Sequence, residues 1–328
     1  MQQLTRRDFV KSTATLAGAS VVAASHTDSL FAGKKKVTQQ NLPICDTHLH
    51  LWDLTKFKLP WLSGDGVKRI NRSFVMKDYR AASDGHNVAR AVYMEVNVAG
   101  SDQVGEAEYV IDLCKRDDNP MAGAVIGGSP QSADFKAYID RVGGSAYVKG
   151  VRTVLHDADR PTGMCLQPQF VENVQLLGKL GKRFDLCMRP DELLDGAKLV
   201  DKCPDTKFVV DHCGNLSVQN KDAALRAKWE KGIRELADRP NVVCKISGII
   251  VTADRENWTA ADLAPNMNFC MDTFGEDRVM FAGDWPVCTL TAPFGDWATA
   301  LKTIVKDRPL AAQKKLFHDN AVKFYELA

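Results

Sequence analysis

Several things are missing from this 328-residue sequence, and each absence removes a class of function. The formal net charge is only +2, so there is no excess of one sign to draw nucleic acid or an acidic membrane surface. No apolar run is long enough to span a bilayer. The nine cysteines include no CxxC pair, and an odd number cannot pair completely. Cys45, Cys187, Cys213 and Cys244 fall inside apolar runs, which predicts buried free thiols and not a disulfide framework. No glycine-rich phosphate loop follows the first apolar run, which weighs against a doubly wound nucleotide-binding sheet. No repeat, low-complexity segment or linker interrupts residues 33–328, so one large domain is expected there.

Residues 1–32 read separately. Thr5-Arg6-Arg7-Asp8-Phe9-Val10-Lys11 followed by the weakly apolar stretch 12–24 has the layout of a twin-arginine export signal. Leu30-Phe31-Ala32 offers a cleavage site, as does Val22-Ala23-Ala24. Cutting after Ala32 leaves 40 basic and 39 acidic residues. The expected partner of this segment is the twin-arginine export machinery, and the expected location is periplasmic or otherwise exported.

What the remaining sequence has is rhythm. Eight short runs rich in β-branched residues, at 44–50, 88–96, 121–128, 148–155, 183–189, 207–214, 241–248 and 279–286, read as strands. Amphipathic stretches at 102–116, 132–142, 167–180, 191–202, 221–238, 260–274 and 292–306 read as helices, with a last helix over 310–326. Strand-helix alternation repeated eight times predicts an α/β fold, the (β/α)8 TIM barrel. The connection after the first run is long and carries Trp52, Phe57, Trp61 and Phe74, either as a substrate wall or as a flap packed on the barrel.

In such a barrel, chemistry gathers where strands end. Those ends carry His48 and His50, Glu95, Arg152 followed by His156, Arg189, Asp211 and His212, Lys245 and Ser247, and Asp284. Buried charges are costly unless paired or ligating, so convergence on one mouth is the economical account. His48 and His50 are two apart and share a strand face. Alternation is expected to turn Asp211 away and leave His212 alone facing the mouth. Asp284, between Gly283 and Trp285-Pro286, sits at a strand-end turn; it meets the histidines only if the first and last strands are neighbours. Glu95 suits a ligand, a substrate contact or an ion pair with Arg152 or Lys245. Arg152 and Arg189 suit a bidentate grip on a carboxylate or oxyanion, and equally suit balancing Asp284 and Glu95. His86 and His318 read as structural.

At these residues the chain resembles the amidohydrolase superfamily, and within it the amidohydrolase-related (amidohydrolase 2) TIM-barrel hydrolases. The matching stretches are DTHLHLWD at 46–53, VKGVR at 148–152, FVVDHCGN at 208–215, FAGDWPV at 281–287 and FHDNAVKFYEL at 317–327. The group includes lactonases acting on sugar-acid lactones and on pyrone-dicarboxylate or muconolactone-type rings. The resemblance implies a hydrolase that opens a lactone at the C-terminal mouth of the barrel. His48, His50, His212 and Asp284 are implied as catalytic residues and as ligands of one divalent ion, zinc by preference, while metal-independent action also occurs in the group. Arg152, Arg189, Glu95 and Trp52 are expected to bind substrate, and Asp284 to act as general base toward water. Strand four offers Arg152 and not a lysine at its end, so a two-metal centre is not expected. The competing readings are a metal-dependent decarboxylase of the same superfamily, which would use a strand-five histidine that this chain lacks, and an exported binding protein without catalysis. Small-molecule substrate is the expected partner, with no nucleic acid and no membrane span in the mature protein.

Overall fold

The computed structural model describes residues 38–328, so the export signal expected over residues 1–32 lies outside the described residues. Eight parallel strands form one sheet in sequential order: β1 (Ile44–Leu49), β2 (Val88–Met94), β3 (Met121–Gly127), β4 (Val148–Val154), β5 (Arg183–Cys187), β6 (Lys207–Val210), β7 (Val242–Ile246) and β8 (Val279–Phe281). The expected (β/α)8 barrel is what the chain adopts. Each neighbouring pair is a parallel ladder, and β8 returns to β1 at the mouth through His50 N–H to Trp285 O at 2.8 Å and Asp284 N–H to His48 O at 2.8 Å. Lower on the seam, the buried Asp46 carboxylate accepts from Gly283 N–H at 2.7 Å and from the Tyr79 hydroxyl at 2.8 Å. A side chain at Gly283 would meet the Asp46 Oδ2 at 2.5 Å, so only glycine lets the two ends of the sheet close.

Helices alternate with the strands: α1 (Met76–Ala82), α2 (Gln103–Cys114), α3 (Phe135–Val142), α4 (Pro168–Lys179), α5 (Leu193–Lys202), α6 (Ala223–Ala237), α7 (Ala260–Phe274) and α8 (Phe294–Ile304). Their starts follow local chemistry. Pro168 opens α4, Asp222 caps α6 by accepting from Ala224 N–H at 2.8 Å, and Thr259 with Asp262 forms a capping box on α7. The expected last helix is two pieces, α9 (Leu310–Lys314) and α10 (Asn320–Tyr325), joined by one π turn over Lys315–Asp319. The short α1 was not legible inside the long aromatic connection. All nine cysteines are free and buried.

The barrel interior is divided by height. Its lower half is apolar, with Cys45, Val92, Met94, Val125, Val209, Val243 and Met280 packed together against Tyr325 and Leu327 of the C-terminal segment. Arg183 ties that segment down through Glu326 at 2.6 Å. The upper half holds charge. No helix among the described residues is long and apolar enough to cross a membrane.

Candidate active site

The first and last strands bring His48, His50 and Asp284 to one floor. Asp284 Oδ1 is 3.4 Å from His50 Nε2 and 3.8 Å from His48 Nε2. The His48 ring centre is 4.4 Å from that of His212 and 4.8 Å from that of His50. All four side chains are buried.

Hydrogen-bond chemistry fixes the imidazoles. His50 Nδ1 faces the Met94 carbonyl at 3.0 Å, and a carbonyl only accepts, so Nδ1 carries a hydrogen and Nε2 is the nitrogen turned toward Asp284. Arg152 Nη1 donates to His48 Nε2 at 3.1 Å, so that nitrogen bears a lone pair, and His48 Nδ1–H faces Asp211 Oδ1 at 3.5 Å. Burial, with His212 and Lys245 nearby, holds His48 well below its ordinary pKa against the opposing pull of Asp211, which favours the neutral ring. His212 Nδ1 is 2.9 Å from the Ser247 hydroxyl. Burial, and the cations Arg152 and Lys245, lower the His212 pKa as well, against Asp284 and Asp211.

Strand β6 corrects one expectation. Asp211 does not turn away: it shares the interior face with Val209 and lies at the centre of the barrel, fully buried. His212 nevertheless reaches the mouth because the backbone leaves the extended conformation there, with φ of 51° at His212, 52° at Cys213, 73° at Gly214 and 60° at Asn215. Alternation predicts faces only while the chain stays a strand. The left-handed turn is non-glycine at three positions and stores strain, as does Asp284 at φ 53°. Gly248, at φ 67°, makes room for the turn; a Cβ there would lie 2.1 Å from His212 Nδ1.

Asp211 is the residue that sequence reasoning placed wrongly, and it organises the interior. Its carboxylate faces Lys245 Nζ at 3.2 Å, His48 Nδ1 at 3.5 Å and Arg152 Nη1 at 3.6 Å. Lys245 also donates to Asp185 Oδ2 at 2.5 Å. Burial alone would raise the Asp211 pKa; Lys245 and His48 bring it well below the carboxylate range. Burial opposes the Lys245 charge too, yet Asp185 and Asp211 hold its pKa above the ordinary value. Glu95 settles on one of its three expected roles, pairing with Arg152 Nε at 2.6 Å, while Arg152 Nη2 donates to the Glu95 carbonyl at 2.9 Å.

Above this floor opens a cavity of about 500 Å³ whose lining includes Trp61, Ile249 and Val251 together with Asn97, His156 and Asp157. Arg152, Arg189, His50, His212 and Asp284 also line it. Trp52 does not line it. Its indole is fully buried, edge-on to Trp61 and Phe74, with Nε1 donating to the Arg72 carbonyl at 2.5 Å, so the long connection is a packed flap that contributes Trp61 as wall. Arg189 lines the wall with its three nitrogens engaged: Nε to Glu192 at 2.7 Å, Nη1 to the Asp157 carbonyl at 2.9 Å and Nη2 to the Arg160 carbonyl at 3.0 Å. Among the described residues the possible ligand groups are two triads sharing His48, namely His48–His50–Asp284 and His48–Asp211–His212, which between them contain the four residues that the resemblance implied and add Asp211.

The first triad fits a divalent ion by its donor chemistry. The Nε2 atoms of His48 and His50 and a carboxylate oxygen of Asp284 face one another, and with both rings as neutral Nδ1–H tautomers they present two lone pairs and an anionic oxygen, a donor set that a shared cation satisfies. His48 would exchange its bond from Arg152 for that ion.

The comparisons agree with the geometry. A family model described as Amidohydrolase matches residues 45–327. The uncharacterized protein y4mH of Sinorhizobium fredii is 27% identical over 88% of this chain and 99% of its own length. An L-fucono-1,5-lactonase of Burkholderia multivorans is 27% identical over 86% of this chain and 95% of its own. Among solved structures, an amidohydrolase from Burkholderia multivorans with bound zinc superposes with a TM-score of 0.78 at 24% identity, covering 87% of this chain and all of that one.

Proposed function

This chain belongs to the amidohydrolase family, and from that premise we propose that it opens a lactone ring by adding water at the carbonyl carbon. One observation carries the reading: the lone pairs of His48 and His50 and the Asp284 carboxylate converge on the floor of a cavity of ring-sized volume. The L-fucono-1,5-lactonase similarity supports a cyclic ester as substrate.

Asp284 is the general base. It is an acceptor at the cavity floor, and its backbone is held by His48 O, so its carboxylate has a fixed aim toward an attacking water. His212 is the histidine suited to donate to the carbonyl oxygen. With the Ser247 hydroxyl donating to Nδ1, its Nε2–H is left for the cavity, and an N–H aimed at a developing oxyanion in a buried site is a strong stabiliser. Arg152 adds fixed positive charge beside that position, itself held by Glu95. We propose that His48, His50 and Asp284 hold one divalent ion, zinc by ligand type, which would polarise the carbonyl and lower the pKa of water. With that ion bound, Asp284 would both help to hold it and accept the proton of the attacking water, and His50 is oriented for its share by the Met94 carbonyl.

The test is a lactone panel followed by acid release, run alongside metal analysis of the purified protein. The expected result is ring opening with about one divalent ion per chain. No ring opening with any lactone would remove the hydrolase reading. Absence of metal from active protein would remove the ion and leave the histidine and arginine donors. We propose also that residues 1–32 direct export, on the support of Arg6-Arg7 and the stretch after them; replacing both arginines with lysine should retain the protein in the cytoplasm.

A further inference from the structure

We propose that His156 and Asp157 form a hydroxyl-reading edge on the cavity wall, oriented by Cys187 and Arg189, so that the substrate is a neutral, hydroxyl-bearing lactone and not a carboxylated one. The proposal rests on the lactone reading above and names its substrate class.

The edge is built from the loop after β4. Strands β4 and β8 are four places apart in an eight-stranded barrel, so this loop faces Asp284 across the mouth, where the substituents of a ring held at the floor would extend. Cys187, at the end of β5, lies with Sγ 3.3 Å from His156 Nδ1. Arg152 Nη1 donates toward the same sulfur at 4.0 Å, so the thiol hydrogen is directed to the imidazole. Burial keeps the Cys187 thiol protonated, well above its usual pKa, despite Arg152. His156 Nδ1 is therefore the acceptor and Nε2 bears the hydrogen. That Nε2–H stands 3.9 Å from Asp157 Oδ1, too far for a direct bond.

A donor and an acceptor separated by that gap suit one kind of group. A hydroxyl accepts from the first and donates to the second, whereas a carboxylate only accepts and would face Asp157. The other Asp157 oxygen is already taken by Asn97 Nδ2 at 3.3 Å, and Arg189 holds the loop through the Asp157 and Arg160 carbonyls. The charges agree with this assignment. Both arginines lining the cavity carry a carboxylate partner, Glu95 on Arg152 at 2.6 Å and Glu192 on Arg189 at 2.7 Å. Asp157 and Asp284 line the same cavity. The wall thus offers no uncompensated guanidinium to a substrate carboxylate.

The experiment compares kcat/KM for three lactones of equal ring size: polyhydroxylated, unsubstituted and carboxylated. Wild type should prefer the hydroxylated ring. Asp157→Asn and His156→Phe should each reduce its preference over the unsubstituted ring about ten-fold, the worth of one well-made hydrogen bond. Cys187→Ala should reduce it in part, and Cys187→Ser, which restores a donor to Nδ1, should recover it; a merely structural cysteine would not show that recovery. Unchanged preference in both Asp157→Asn and His156→Phe, or a wild type that prefers the carboxylated ring, overturns the proposal. If wild type opens no lactone at all, the hydrolase reading falls separately. The edge is then read by calorimetric binding of the hydroxylated and unsubstituted rings, with the same loss of about ten-fold expected and equal affinities overturning it.

Discussion

The floor and the wall of this cavity are built on different principles. On the floor and just beneath it, His48, Asp211 and Lys245 are fully buried, and each has its orientation decided by two or more neighbours. On the wall, the side chains of His156 and Asp157 are 42% and 36% exposed and hang on a loop held by Arg189. A group that must meet a reacting atom is placed by the barrel, and a group that chooses among substituents is placed by a loop. The two regions should therefore fail differently: damage to the floor removes turnover or stability, and damage to the wall changes preference.

The largest break expected is at the base. Asp284→Asn should lose about 10²–10⁴ in kcat with the thermal unfolding midpoint close to wild type, since the amide keeps the shape and gives up the proton acceptor. Full turnover in that variant would end the assignment. Asp211→Asn comes next. It strips the anion shared by Lys245 and Arg152, and breaking a buried pair costs about 3–5 kcal/mol, to be read from urea unfolding. A loss below about 1 kcal/mol would show the interior to be less dependent on Asp211 than its contacts indicate.

Gly248→Ala sharpens the contrast from another side, because it leaves all the chemistry in place and moves it. The added methyl collides with His212 Nδ1, and a displacement near 1 Å should lower kcat on the order of 10²-fold. Rates equal to wild type would mean that His212 is not held where its function needs it.

The smallest expected effect lies behind the floor, at Glu106. Burial, and then the nearby Glu95, push its pKa from 4.5 to about 8, while Tyr93 and the Val96 N–H hold its Oε1. Between those two values the folded protein keeps a proton that the unfolded chain has released, so stability should fall as pH rises across that window. Glu106→Gln should flatten the slope and gain about 1–3 kcal/mol over wild type near pH ~9, measured by urea titration across the range. Parallel curves for the two proteins would show that Glu106 is ionised throughout.

Most of the fold was legible because the strand and helix periods rarely conflict in this sequence. The expected helix at 260–274 matches α7 residue for residue, and all eight strands lie where β-branched runs occur. The misreadings cluster at β6 and β8, which stop at Val210 and Phe281 although the apolar pattern continues to 214 and 286. There the left-handed residues end the strand early, and no composition signal marks a histidine or aspartate that will take positive φ. The convergence of His48, His50 and Asp284 was readable from strand ends once the first and last strands were taken as neighbours, whereas His212 reaches the mouth by a left-handed turn and not by the alternation expected of it. The inward aim of Asp211 could have been found from its spacing to Val209. The burial of Trp52 and the engagement of Arg189 depend on partners far along the chain, which a local pattern does not reveal.

The seam between β1 and β8 has a consequence for how the protein comes into being. Asp46 and Gly283, which close it, are 237 positions apart. A chain emerging from the ribosome has made both histidines of the floor early and must wait for nearly all the remaining synthesis before the opposing carboxylate exists. Until then the sheet has two open edges, so competence arrives in a single late step and a truncated product is inert by architecture.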